Sequence, residues 1–303
     1  MKRKKLLVIG SVNTDMVVKS HSLPKPGETV LGGTFFMNAG GKGANQAVAA
    51  ARLGADVTFI CKIGNDAFGE TSKKLFENEG IDTSYVLVDP DNASGVALIT
   101  VDHNAENCIV VAPGANGNLH ASDVPDLSSI IEQADYVLMQ LEIPMETIQM
   151  VADIAYQKNI PVILNPAPAP AQALSNNLLN KLYLITPNET EAELITGIKV
   201  TDKDSALLAA KKIHDLGVCC VIITMGAKGA FVYKDSQCEI IPSFKVTAVD
   251  TTAAGDIFNG ALVVGLMEGK SIKESVQFAC RASAISVSRM GAQSSAPYRK
   301  EII

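Results

Sequence analysis

Asp256 closes the stretch DTTAAGD at residues 250–256. An apolar, strand-like run leads into Asp250. The small residues Ala253, Ala254 and Gly255 then open a helix that continues to residue 267. The first backbone N–H groups of a helix have no partner within it, and the helix dipole favours negative charge there. Small side chains let a phosphate come close to those donors. A carboxylate at such a point has a chemical use, because it can take the proton from a hydroxyl that attacks the phosphate. It is equally well placed as a plain helix-start carboxylate, and the local sequence leaves these two readings even.

Three further stretches carry polar groups on glycine-rich or helix-opening backbone. Residues 38–47 read NAGGKGANQA, putting Gly41, Lys42, Gly43 and Asn45 just before and within a helix. That suits close approach of a polar ligand, although alone it reads more simply as a turn with a helix cap. Residues 186–194 read TPNETEAEL, with Asn188 and Glu191 three apart at a strand end. They can share one site or form a capped, acidic first turn, the simpler alternative. Residues 224–229 read TMGAKG, so Thr224, Gly226 and Gly229 follow an apolar strand, most simply as a tight strand–turn–strand link. Taken together they gain weight. Each lies at the C-terminal end of an expected strand or where a lid joins, and open parallel sheets bind ligands along that edge.

Strands and helices alternate through most of the chain. Strands are expected at 4–12, 56–63, 136–141, 161–164, 182–186 and 218–224. Helices are expected at 43–53, 67–79, 146–158, 205–216, 255–267 and 272–289. This alternation predicts an α/β fold with a central, mostly parallel sheet flanked by helices. Two hairpin-like segments do not fit it: 16–19 with 29–37 around the turn LPKPG at 23–27, and 95–101 with 107–112 around a polar turn. They read as a small antiparallel lid, about 14–38 and 95–112, inserted into one domain spanning 1–303.

The 303 residues are 47% hydrophobic and 19% charged, which is globular composition. The net charge of −6 argues against a general nucleic-acid binder. The basic opening MKRKK precedes an apolar run too short for a signal peptide, and no stretch is long enough to span a membrane. Six scattered cysteines lack metal or redox spacing and read as reduced, buried thiols, Cys61, Cys219 and Cys220 lying in strand-like runs. The four histidines, far apart, read as solvated surface residues. Neither GxGxxG nor a triphosphatase P-loop is present, since Lys42 is followed by Gly.

The stretches at 40–54 (GGKGANQAVAAARLG) and 250–260 (DTTAAGDIFNG) resemble the two signatures of the PfkB carbohydrate kinases. Residues 23–29 (LPKPGET), 165–169 (NPAPA) and 291–295 (GAQSS) resemble segments of the same family. The resemblance covers nearly the whole chain. It implies transfer of the ATP γ-phosphoryl group to the 5-hydroxyl of D-ribose, with deoxyribose, fructose, a keto-deoxy acid or a nucleoside as alternative acceptors. A non-catalytic sugar or nucleotide sensor is an alternative of another class. Asn13, Asp15, Gly41, Lys42, Gly43, Asn45 and Glu142 would hold the sugar. Asp256 would be the base, and Ala253, Ala254 and Gly255 the anion hole. Asn188, Glu191, Thr224, Gly226 and Gly229 would meet ATP and organise Mg²⁺, with Cys280 near the adenine. Asp250, Thr252, Ser286, Arg289, Gly291 and Ser295 would bind an activating K⁺, several through main-chain carbonyls. Many family members have Gly at the position of Ala253, which restricts the backbone but keeps the N–H. A cytoplasmic homodimer joined through the lid is implied. A free Asp ionises near pH 3.9, so Asp256 is expected to be ionised at neutral pH without special tuning.

Overall fold

Leu6 and Val8 belong to one apolar cluster and Leu7 and Ile9 to another, so the first strand is covered on both faces. That strand is β1 (Lys5–Ile9) in a computed structural model that describes residues 4–104, 106–170 and 172–302. The basic residues 1–3, and Ala105 within the polar turn of the second hairpin, lie outside the described residues. After β1 come β2 (Asn13–Lys19), β3 (Thr34–Gly40), α1 (Lys42–Arg52), β4 (Asp56–Gly64), α2 (Ala67–Asn78), β5 (Val86–Asp89), β6 (Gly95–Val101) and β7 (Asn107–Ala112). The chain continues through α3 (Leu127–Glu132), β8 (Tyr136–Met139), α4 (Met145–Gln157), β9 (Val162–Leu164), α5 (Asn176–Leu179), β10 (Leu184–Ile185), α6 (Glu189–Thr196) and α7 (Lys203–Asp215). It closes with β11 (Cys220–Thr224), β12 (Ala230–Lys234), β13 (Gln237–Ile241), α8 (Ala254–Met267) and α9 (Ile272–Val287).

The main sheet has the order β13-β12-β11-β10-β9-β8-β1-β4-β5. From β11 to β5 the pairing is parallel, and β12 and β13 complete one edge antiparallel. Alternate strand residues pack on α1, α8 and α9 on one side and on α4 and α7 on the other. The expected mostly parallel sheet flanked by helices is what the chain forms. Strand order reverses between β1 and β8, the kind of place where doubly wound sheets open a crevice at their carboxyl ends.

The two hairpins form a separate four-stranded sheet, β3-β2-β6-β7. Each is antiparallel internally, and β2 and β6 join them in parallel, Asn13 opposite Gly95. Both strands leave the main sheet from the same edge, so they run the same way. The first hairpin is displaced from its expected bounds. β3 starts at Thr34 because Gly32 (φ 91°) and Gly33 (φ 132°) hold the preceding backbone out of strand geometry. Pairing fixes the faces. Asp15, Val17, Phe36, Asn38 and Ile99 share one face, over a cleft closed on the other side by Val249, Thr252 and Met290. Phe35, Met37, Leu98 and Val110 share the opposite face and are 54–67% exposed.

Three local expectations are corrected. Residues 242–249, read as a strand-like run into Asp250, form no strand. Cys219, just before β11, and Cys108 in β7 are exposed and Cys238 is half-buried, unlike the buried Cys61, Cys220 and Cys280. His214 is half-buried, its Nδ1 2.7 Å from the Val218 carbonyl and its ring edge-on to Tyr233.

Candidate active site

The carboxyl ends of β1, β8, β9, β10 and β11 supply one wall of the site, and the N-terminal ends of α1 and α8 supply the other. These two helices touch closely. A Cβ on Gly260 of α8 would lie 2.7 Å from Ala49 Cβ and 2.8 Å from the Gln46 carbonyl of α1. The glycine therefore sets how near the two helix starts can come. Gly41, the N-cap of α1, has φ 88°, a conformation open to glycine at little cost, and it turns the chain from β3 into the helix.

Asn13 and Asp15 at the start of β2 meet Lys42, Asn45 and Glu142 at the base of the four-stranded sheet. Glu142 Oε2 accepts from Ser11 Oγ at 2.5 Å and from the Lys42 N–H at 3.0 Å. Asn13 Oδ1 accepts from Asn116 Nδ2 at 2.8 Å, while Asn116 also bonds the N–H and C=O of Val12. Asn13 is thereby turned with its own amide N–H₂ away from Asn116. Asp256 is 6% exposed, yet charged neighbours surround it. Its Oδ2 accepts from Asn45 Nδ2 at 2.8 Å, and its Oδ1 accepts from Gln46 Nε2 at 3.0 Å. Gln46 also donates to Asn165 Oδ1 at 3.0 Å and accepts from Gln140 Nε2 at 2.7 Å.

On the other side of Asp256 a cleft of about 500 Å³ opens. Every residue expected to meet a nucleotide lines it: Asn188, Glu191, Thr224, Gly226, Gly229, Gly255 and Cys280. Lys42, Ala253, Ala254 and Asp256 reach the same cleft. The simpler readings of these loops hold as well. Asn188 and Glu191 form a capping box, and residues 226–228 make a tight turn between β11 and β12. A parallel bridge between Asn188 and Thr224 draws the two loops together. α8 starts without a side-chain cap, and its N-cap Ala253 has φ 59°. The Ala254 N–H is turned to the Thr251 carbonyl at 3.2 Å, so this donor is already engaged in the turn.

The six residues expected at a cation are drawn together in two groups. Asp250 Oδ1 accepts from the Thr252 N–H and hydroxyl, and its Oδ2 from the Gly291 N–H at 2.9 Å. The Ser286 and Ser295 hydroxyls meet at 2.6 Å. The Arg289 side chain pairs with Glu301, while its N–H bonds the Ser286 carbonyl.

Burial dominates the electrostatics. It pushes Asp15 up to about 7, with Glu142 and Asp256 adding repulsion and Lys42 opposing. Burial likewise raises Asp256 above the ordinary carboxylate range, against the pull of Lys42, Asn45 and Gln46. The expectation of an untuned Asp256 is thus corrected: burial disfavours its charged form, and Lys42, Asn45 and Gln46 oppose that effect. Burial also disfavours the Lys42 ammonium, but Asp256, Glu142, Glu191 and Asp15 together hold its pKa above the usual value. Burial raises Glu191, opposed by the Asn188 N–H and Lys42, and pushes Cys280 up to about 11. Asp250 is the exception. Hydrogen bonds from Thr252 and Gly291 outweigh its burial and lower it.

Sequence reading missed Gln46, Gln140 and Asn116. Gln46 and Gln140 had a faint signal, one a polar residue in an Ala-rich helix and the other a polar residue ending an apolar strand. Asn116 had none, because only folding carries it to Val12, 104 positions away.

The sequence matches the profile described as pfkB family carbohydrate kinase over residues 3–299. It is 49% identical over 301 residues to the ribokinase of Haemophilus influenzae, covering 99% of this chain and 98% of that one. It is 37% identical over 292 residues to the deoxyribokinase of Salmonella typhi, covering 96% and 95%. The solved structure of Arabidopsis thaliana ribokinase complexed with ribose and ATP superposes with a TM-score of 0.93 at 32% identity, covering 100% of this chain and 98% of that one.

Proposed function

The chain belongs to the pfkB family of carbohydrate kinases, and on that footing we propose that it transfers the γ-phosphoryl group of ATP to the 5-hydroxyl of D-ribose, giving D-ribose 5-phosphate and ADP. The position of Asp256 carries the reading. One buried carboxylate lines the nucleotide-side cleft and is bonded by Asn45 of the sugar-side set. Asn13, Asp15, Lys42, Asn45 and Glu142, with the backbone of Gly41 and Gly43, hold the sugar hydroxyls. Asp256 takes the proton of the attacking hydroxyl as the phosphoryl group departs. Backbone N–H groups at the start of α8, those of Ala253 and Gly255 and that of Ala254 once it leaves the Thr251 carbonyl, neutralise charge on that group. Lys42 balances the cluster of carboxylates. Asn188, Glu191 and the 224–229 loop receive the nucleotide, and Cys280 lies against its base.

Two metal ions belong to the same proposal, and the donors fit both. Asn188 and Glu191 offer oxygen donors to Mg²⁺, which spreads the negative charge of the triphosphate. The set at 250, 252, 286, 289, 291 and 295 offers one carboxylate kept ionised, with hydroxyl and carbonyl oxygens, which suits K⁺. Exchange of K⁺ for Na⁺ should lower kcat; equal rates in the two salts would remove this site from the account.

The four-stranded sheet is the lid of a single domain, and it excludes water from the phosphoryl group. Its exposed outer face pairs with the lid of a second copy. No helix among the described residues is long and apolar enough to cross a membrane, and six unpaired cysteines suit the cytoplasm. A coupled ADP-release assay across ribose, 2-deoxyribose, fructose, a keto-deoxy acid and a nucleoside tests the reaction. Ribose should give the highest kcat/KM. A higher value for 2-deoxyribose would move the chain to the other activity named among its relatives.

A further inference from the structure

Gln140 is fully buried just beyond the carboxyl end of β8, and it lies outside every role assigned so far. Its Nε2 donates to Gln46 Oε1 at 2.7 Å, and its own Oε1 has no hydrogen-bond partner among the described residues. Leaving a buried acceptor unpaired is costly, so this orientation must be held by something worth more. Reversing the Gln140 amide would present its oxygen to Gln46. Gln46 would then have to turn its N–H₂ toward Gln140 and its carbonyl toward the Asp256 carboxylate and Asn165 Oδ1. Two acceptors would face a third, and Asp256 would lose one of its two amide donors. The backbone makes room for the observed orientation. A Cβ on Gly10 would collide with Gln140 Oε1, so a glycine at this position leaves space for the unpaired oxygen.

We propose that Gln140 is a positioning residue of the phosphoryl transfer: by donating to the Gln46 carbonyl it keeps the Gln46 amide N–H pointed at Asp256. Gln140 itself bonds neither Asp256 nor any residue assigned to the sugar or the nucleotide. The inference rests on the reading of Asp256 as base. The titratable groups facing Asp256 are Lys42 from α1, Glu142 beyond β8, Asp15 from β2 and Glu191 from α6. None of them is altered by a change at Gln140, so a difference between variant and parent profiles isolates the amide.

The test is the pH profile of kcat/KM for the sugar at saturating ATP, for the parent, Gln140→Leu and Gln140→Met. Leu and Met both remove the donor without adding a titratable group, Met at close to the length of the parent side chain. Weakening a hydrogen bond to a charged group is expected to move the acid limb up by about one pH unit. Activity should recover at higher pH, with KM for the sugar changed less than kcat. A purely structural role would lower activity by the same factor at every pH and lower Tm. An unmoved acid limb in whichever of the two variants folds overturns the proposal. Asp256→Asn, run alongside, separates the two readings: if it retains parental turnover the base assignment itself falls, and if it is inactive an unmoved limb counts against Gln140 alone.

Discussion

At the scale of single residues, the site is a set of charges taken out of water. Asp256 needs its charge to accept a proton, yet burial raises its pKa from the ordinary 3.8. The activity it supports is therefore lost as pH falls through a value above the usual carboxylate range, and the acid limb of kcat/KM should lie there. Asp256→Asn should lower kcat by about 10²–10⁴-fold with sugar binding retained, as read by turnover and calorimetric titration. Asp15 shows the cost of such an arrangement. Its folded pKa of about 7 lies above the unfolded value of 3.8. Its favourable contribution to folding is thus present below the unfolded value and lost as pH rises through about 7. Asp15→Asn should raise Tm by a few degrees near pH 8, with the gain vanishing toward pH 4, while ribose affinity falls. A Tm difference independent of pH would contradict the burial argument. Ala253 carries a different cost. Its left-handed φ of 59° is worth about 1–2 kcal/mol of strain in a residue with a Cβ. The family resemblance marked it as an alanine where many members have glycine, but only the backbone angle shows that strain is present.

At the scale of elements, the decisive contact is α1 on α8. Both helices were legible, because an Ala-rich run and an apolar run each lead from a glycine-rich or small-residue start. Their mutual approach was not, since nothing in the spacing pairs Gly260 with Gln46 and Ala49. Gly260→Val should drive the helices apart at a cost of about 1–3 kcal/mol. It should also separate Asp256 from Asn45 and Gln46, so that kcat falls along with Tm. Loss of Tm with parental kcat would mean that the helix contact does not set the base. The short strands β5, β12 and β13 were the least legible elements. β12 was legible only as the strand after the 224–229 turn; that it and β13 form an antiparallel edge is something a parallel α/β alternation gives no reason to expect.

At the scale of the whole molecule, the two hairpins of the four-stranded sheet come from segments some eighty residues apart and join through the β2–β6 pairing. Their outer face exposes Phe35, Met37, Leu98 and Val110, more apolar surface than a solvated sheet face normally carries. Val110→Glu should convert the proposed dimer to a monomer, as read by light scattering. A variant that keeps the parent's mass would exclude this face as the contact. The sequence by itself determined the local chemistry: a carboxylate after a small-residue turn, glycine-rich helix starts, and strands whose ends align the motifs on one edge of a sheet. These follow from periodicity and backbone preference, which act over a few residues. Tertiary structure alone decided that Asp256 is buried and shifted, that Gln46 points at it with Gln140 bonded behind Gln46, and that Asn116 fixes Asn13. Desolvation and amide orientation depend on which distant groups share a space. Asp256, first visible as a helix-start carboxylate with two equal readings, has its protonation set by residues more than 100 positions away.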